Sequence, residues 1–86
     1  MQGELVIVRA YGDEPLVRRL WETTPEAVYI CSEENYQNLI SGKPAMNAVG
    51  VHREYVFRYE PAIAEELLEN YESTPGWWWR LTPWSE

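Results

Sequence analysis

Cysteine occurs once in the 86 residues, at Cys31, and histidine once, at His52. A lone cysteine excludes an intrachain disulfide, so the fold is not organised around oxidation. With only these two soft ligands, the chain cannot assemble the short-spaced Cys and His set of a structural zinc site. Basic residues are also scarce: 7 Lys and Arg against 14 Asp and Glu leave a formal net charge of −7. That balance argues against a phosphate-backbone binder, whose affinity comes from basic clusters, and against a binder of anionic membrane surfaces. Long apolar runs are missing too. Leu5-Val6-Ile7-Val8 is the longest aliphatic stretch, far short of the ~18 residues of a membrane helix. Glu4 follows Met1 closely and no basic stretch precedes the apolar one, so no secretory leader is expected and cytoplasmic residence is. The five glycines stand singly, which leaves no glycine-rich phosphate cradle.

What is present suits an ordinary globular chain: 45% hydrophobic and 24% charged residues. One soluble domain spanning 1–86 is the expectation, with a modest core and shallow cavities at this length. Three regions differ in character. Residues 1–59 form a β core, 60–73 an amphipathic helix and 74–86 a Trp-rich tail. The acid excess concentrates in residues 60–86, where Arg80 is the sole base and four of the five tryptophans lie.

Glu4 to Tyr11 is rich in β-branched residues and ends at Gly12-Asp13, a strand followed by a turn. Ala27 to Ser32 gives a second strand, and Val49 to Tyr59 one or two more. Pro15 to Glu22 is ambiguous. Leu16, Val17, Leu20 and Trp21 have helical spacing with Asp13 and Pro15 at a plausible start, whereas a strand would put one arginine stem on each face. Glu33 to Ser41 predicts a short helix capped by Ser32 and ended by Gly42. After Glu60-Pro61, the stripe Ile63, Ala64, Leu67, Leu68 and Tyr71 predicts the clearest helix. Its other side carries Glu65, Glu66, Glu69 and Glu72, repelling one another at helical spacing, so tertiary packing or nearby arginines must hold it.

The stretches Val8 to Glu22, Val28-Tyr29-Ile30-Cys31 and Val51-His52-Arg53-Glu54-Tyr55-Val56-Phe57 together resemble small bacterial proteins with a Src-homology-type small β-barrel. The resemblance covers about residues 5–59. It implies a meander of short strands, with Arg53-Glu54-Tyr55 as a 3₁₀ turn before the last strand, and it tips residues 16–22 from helix to strand. The sequence carries no proline-recognition signature, so the family's peptide-binding role does not transfer by residue.

No catalytic constellation emerges. Cys31 suits a small buried hydrophobe, and His52 has no identifiable acid–base partner. The pairs Glu33-Glu34 and Glu65-Glu66 fall on solvated helical faces. Arg18 and Arg19, with Arg9 and Arg58, are expected to neutralise the acidic helix rather than to contact an anion. The tail is the most informative segment. Trp77, Trp78 and Trp79 could offer ~450–750 Å², at or above the largest apolar patch of a typical monomer. Either the fold covers them, with Trp77, Trp79 and Leu81 alternating as an edge strand, or a partner does.

The expected fold is therefore mainly β (α+β): a small barrel or rolled antiparallel sheet of about five strands, a short inserted helix and a C-terminal acidic helix. The alternative is a small α/β domain with residues 14–23 helical. The expected function is a non-catalytic protein-interaction module or homo-oligomer, without cofactor or metal. It would bind through Trp77, Trp78, Trp79 and Trp84, with Trp21, Tyr11 and Tyr55 as pocket residues. The alternatives are an acidic inhibitor or nucleic-acid mimic displaying Glu60, Glu65, Glu66, Glu69 and Glu72, and an accessory subunit of an enzyme.

Overall fold

The computed structural model describes residues 2–85. Its elements are β1 (Leu5–Arg9), β2 (Pro15–Thr23), β3 (Val28–Cys31), α1 (Glu33–Ser41), β4 (Val49–Val51), β5 (Val56–Arg58) and α2 (Pro61–Asn70). Short 3₁₀ turns occupy Tyr11–Asp13, Arg53–Tyr55, Tyr71–Ser73 and Trp77–Arg80. The five strands form one antiparallel sheet in the order β4-β3-β2-β1-β5.

Residues 15–23 are the central strand, so the alternative with a helix over 14–23 is wrong. The misleading signal was the adjacent apolar pair Leu20-Trp21. Leu20 faces Ile30 while Glu22 faces Tyr29, so β2 carries one residue more than β3 at that point. Trp21 is that extra residue. A bulge restarts the alternation and thereby imitates helical spacing. Pairing with β1 on one side and β3 on the other satisfies the backbone that a helix would have satisfied internally. Pro15, which lacks an N–H, sits at the strand's first residue, where it costs little.

Alternation along the strands gives the sheet two apolar faces. On the first, Val6, Val8, Leu20, Val28, Ile30 and Val56 cluster under Trp84. On the second, Ile7 and Phe57 cluster with Ala64 and Leu67 of α2 and with Trp77 and Leu81. α2 thus lies against the second face, with Ile63 and Tyr71 beside its buried pair. Pro61 occupies its first turn, which is suited to a residue without an amide proton. α1 begins and ends as its sequence predicts. The Ser32 hydroxyl accepts from the Asn35 amide, and Gly42 turns left-handed at φ 73° while its N–H reaches back to Leu39 and Asn38.

The strands do not close into a barrel. β4 and β5 have three residues each and stand at the two edges. The outer edge of β5, through which closure would run, is taken by the chain's own C-terminal segment. Arg58 N–H donates to the Thr82 carbonyl (2.8 Å), Trp84 N–H to that of Val56 (3.0 Å), and Phe57 pairs with Pro83. The tail therefore wraps that edge, placing Leu81 on one face of the sheet and Trp84 on the other.

Residues 77–80 are not the alternating strand the sequence suggests. Gly76, at φ 72°, turns the chain into a 3₁₀ turn in which Trp79 N–H reaches the Gly76 carbonyl and Leu81 N–H that of Trp78. With about three residues per turn, consecutive side chains point roughly 120° apart. That geometry sorts three identical residues into three environments: Trp77 is 1% exposed, Trp78 half-buried and Trp79 83% exposed.

The arginines do not neutralise α2 in the expected way. Arg19 grips Glu33 of α1 at 2.6 Å, and Arg9 holds Asp13 at 2.8 Å. The base that reaches α2 comes from the tail, where Arg80 pairs with Glu66 through two contacts of 3.2 Å.

Candidate interaction surface

The sequence-predicted surface residues do not form one patch. Trp77 and Trp84 belong to the two cores. The Trp77 indole N–H donates to the Asp13 carbonyl at 2.6 Å, and that of Trp84 to the Glu4 carboxylate at 3.2 Å. Each buried indole thus has the polar partner that its burial demands. Trp21 lies apart from the other tryptophans. Its ring neighbour is Tyr36 of α1, edge-on at 6.1 Å, and its carbonyl accepts from the Gln2 side chain.

Trp78 and Tyr55 meet through Arg9, and Trp79 joins them through Trp78. The Arg9 guanidinium lies 3.8 Å from the Trp78 ring centroid and 5.6 Å from that of Tyr55, while its Nε donates to Asp13. Trp78 in turn contacts Trp77 at 5.5 Å and Trp79 at 6.1 Å, both edge-on. The order Tyr55, Arg9, Trp78, Trp79 forms a row from the sheet's edge out to solvent. Cation–π contact with a partly desolvated guanidinium fixes Trp78 and Arg9 in place, so the exposed Trp79 stands on a rigid base. The Trp79 ring also covers Gly76, where an added Cβ would stand 3.1 Å from Cε3. Tyr11 is fully exposed on the neighbouring 3₁₀ turn.

Beside this row lies a groove of about 380 Å³, lined by Gly12, Asp13, Tyr71, Glu72, Pro75, Gly76, Trp77 and Trp78. Burial, with Glu14 and Glu72 nearby, pushes the Tyr71 phenol above its usual range. The groove therefore joins aromatic walls to negative charge. Gly12, Asp13, Tyr71 and Pro75 were not singled out as site residues from the sequence, and Glu72 only as part of the acidic-mimic face. They come from turns nearly 60 residues apart, and only the docking of the tail beside the first 3₁₀ turn brings them together.

The Cys31 thiol is buried and directed at the Arg19 carbonyl (3.8 Å), and burial, then Glu33, raises its pKa. A raised pKa removes thiolate at neutral pH and with it nucleophilicity. The ring contact of His52 is with Tyr55 at 6.3 Å. Among the described residues no group of three or more His, Cys, Asp or Glu side chains is placed to hold a metal ion. No described helix is long and apolar enough to cross a membrane. Comparison of the chain with protein-family models, with curated proteins and with solved structures gives no match in any of the three.

Proposed function

We propose that this chain is a non-catalytic interaction module whose anchor is Trp79, presented on the Trp78–Arg9–Tyr55 row. The observation that carries the reading is the 83% exposure of Trp79, beside three residues of the types that dominate interface hot spots. A tryptophan left in water where its two neighbours are packed loses the burial that normally stabilises such a ring. A partner that covers it recovers that energy. The acidic groove at Asp13 and Glu72 and the glutamates of α2 set the partner's complement: a basic segment carrying an apolar side chain to meet the indole. The 3₁₀ turn between β4 and β5 supports, as part of the same proposal, a kinship of plan with Src-homology-type small barrels.

Photo-crosslinking tests this. Trp79→benzoylphenylalanine in the producing cells should give one discrete adduct that the same substitution at the exposed Ile40 does not, and Trp78→Ala should suppress it. An adduct of twice the chain mass identifies a second copy of this chain as the partner. Equal labelling from positions 79 and 40 contradicts the proposal. Salt then separates the acidic-mimic alternative: a mimic's complex dissociates as salt rises, whereas an aromatic anchor's changes little.

A further inference from the structure

A second groove, of about 370 Å³, shares no residue with the tryptophan surface. It opens between the start of α1, the 43–48 connection and the margin of the first sheet face, and is lined by Arg18, Cys31 and Asn38 among others. Its volume lies in the roughly 300–1,000 Å³ range of small-ligand sites. Ile30, Met46 and Val49 supply apolar wall, and Met46 and Val49 are strongly exposed.

Arg18 distinguishes this groove from an ordinary crease. Arg9, Arg19 and Arg80 each hold a carboxylate. Arg18 is half-buried yet holds none among the described residues, and its one hydrogen bond runs from Nη1 to the Val17 carbonyl at 2.9 Å. A guanidinium has five N–H donors, and those of Arg18 are reachable rather than sealed, since no buried side-chain nitrogen among the described residues lacks a partner. Two uncommitted carboxamides, Asn38 and Asn47, line the same groove. Asn35 differs, because its carboxamide clamps both backbone groups of Met46 (2.8 and 2.9 Å) and so fixes the connection that forms the groove's outer wall. An unpaired arginine in a chain with twice as many acids as bases marks a place where the fold leaves positive charge uncompensated.

We infer that this groove binds a carboxylate attached to an apolar group, with the carboxylate on Arg18 and the apolar group against Ile30, Met46 and Val49. Arginine forks match carboxylates in geometry and charge. One guanidinium compensates one negative charge, and Glu34 on the groove wall disfavours a dianion such as phosphate. Glu34 makes no ion pair with Arg18 within 4.0 Å, so it competes with the ligand only at a distance. The same chemistry belongs to a free organic acid and to the C-terminal carboxylate of a protein.

Amide-resolved NMR titration of the full chain decides the matter, with N-acetyl-leucine, N-acetyl-leucinamide and an acetylated pentapeptide acid ending in leucine as probes. The acid should shift the amides of 30–35 and 46–49 saturably, and leucinamide should bind at least about tenfold more weakly. Arg18→Gln should abolish that preference. Asn47→Asp, in the exposed connection, should weaken the acid and spare the amide, while Glu34→Gln should tighten the acid severalfold. A pentapeptide tighter than N-acetyl-leucine assigns the site to a protein C-terminus, and equal affinity assigns it to a free acid. Equal binding of acid and amide, or no shift in the groove at millimolar probe, overturns the inference.

Discussion

Cys31 and Trp77 illustrate how little side-chain type says until its surroundings are known. The Cys31 thiol is held above its usual pKa by burial, so alkylation by iodoacetamide at neutral pH should be slow in the folded protein. It should accelerate sharply in urea, and the comparison of the two rates checks it. Trp77→Phe keeps a ring in the second core but leaves the Asp13 carbonyl without its 2.6 Å donor. The expected loss is about 1–3 kcal/mol in urea unfolding. Neither outcome is visible in the sequence, where three consecutive tryptophans are indistinguishable. What the sequence does carry at this scale is the local chemistry of ends: Ser32 and Gly42 bracket α1 as their side chains dictate.

At the scale of elements, two ion pairs tie helices to other parts of the chain. Arg19 and Gln37 draw the Glu33 pKa down through hydrogen bonds, and Arg80 does the same for Glu66. A carboxylate depressed in the folded state stabilises it at pH values above its unfolded pKa. That contribution disappears as pH falls through the folded value. Melting temperature should therefore decline on acidification below the usual glutamate range, and Arg19→Gln should flatten part of that decline. Both carboxylates are solvent-exposed, so the effect is small. Strand β2 shows where sequence patterning fails. Helical spacing at Leu16, Val17, Leu20 and Trp21 is genuine. It arises because both sheet faces are covered, with Leu16 opposite Val8 and Val17 opposite Ile7, and because of a bulge at Trp21. Both are decided by the rest of the fold. The strands at 5–9 and 28–31, by contrast, were legible because β-branched residues and flanking breakers coincide there. The tail was illegible for a further reason: whether Trp77–Arg80 is extended or 3₁₀ depends on Gly76 adopting a left-handed turn and on the two sheet faces waiting to be covered.

For the whole molecule, the tail is structural and leaves one ring, Trp79, in solvent. Trp84 closes the first face, Trp77 and Leu81 complete the second, and residues 82–84 cover the β5 edge. An unpaired edge invites association with other chains, so removing 77–86 should unfold or aggregate the protein rather than release a clean monomer. Sedimentation of the truncated chain checks this. Single substitutions are thus the right probes of the outward surface, and Trp79→Ala should leave folding within about 0.5 kcal/mol of the parent. That the tail carries a cluster of aromatic residues was legible, although Trp77 and Trp84 turn out to be core residues. Which rings face outward was not, because that depends on the turn's 120° steps and on contacts made across the whole chain. The most direct test is urea unfolding of the four tail variants Trp77→Ala, Trp78→Ala, Trp79→Ala and Trp84→Ala, measured side by side. Losses of about 3–5 kcal/mol at Trp77 and Trp84, a smaller loss at Trp78 and almost none at Trp79 are predicted. A loss at Trp79 as large as that at Trp77, or tolerance at both Trp77 and Trp84, would contradict a tail that is packed on both faces and holds one tryptophan out for a partner.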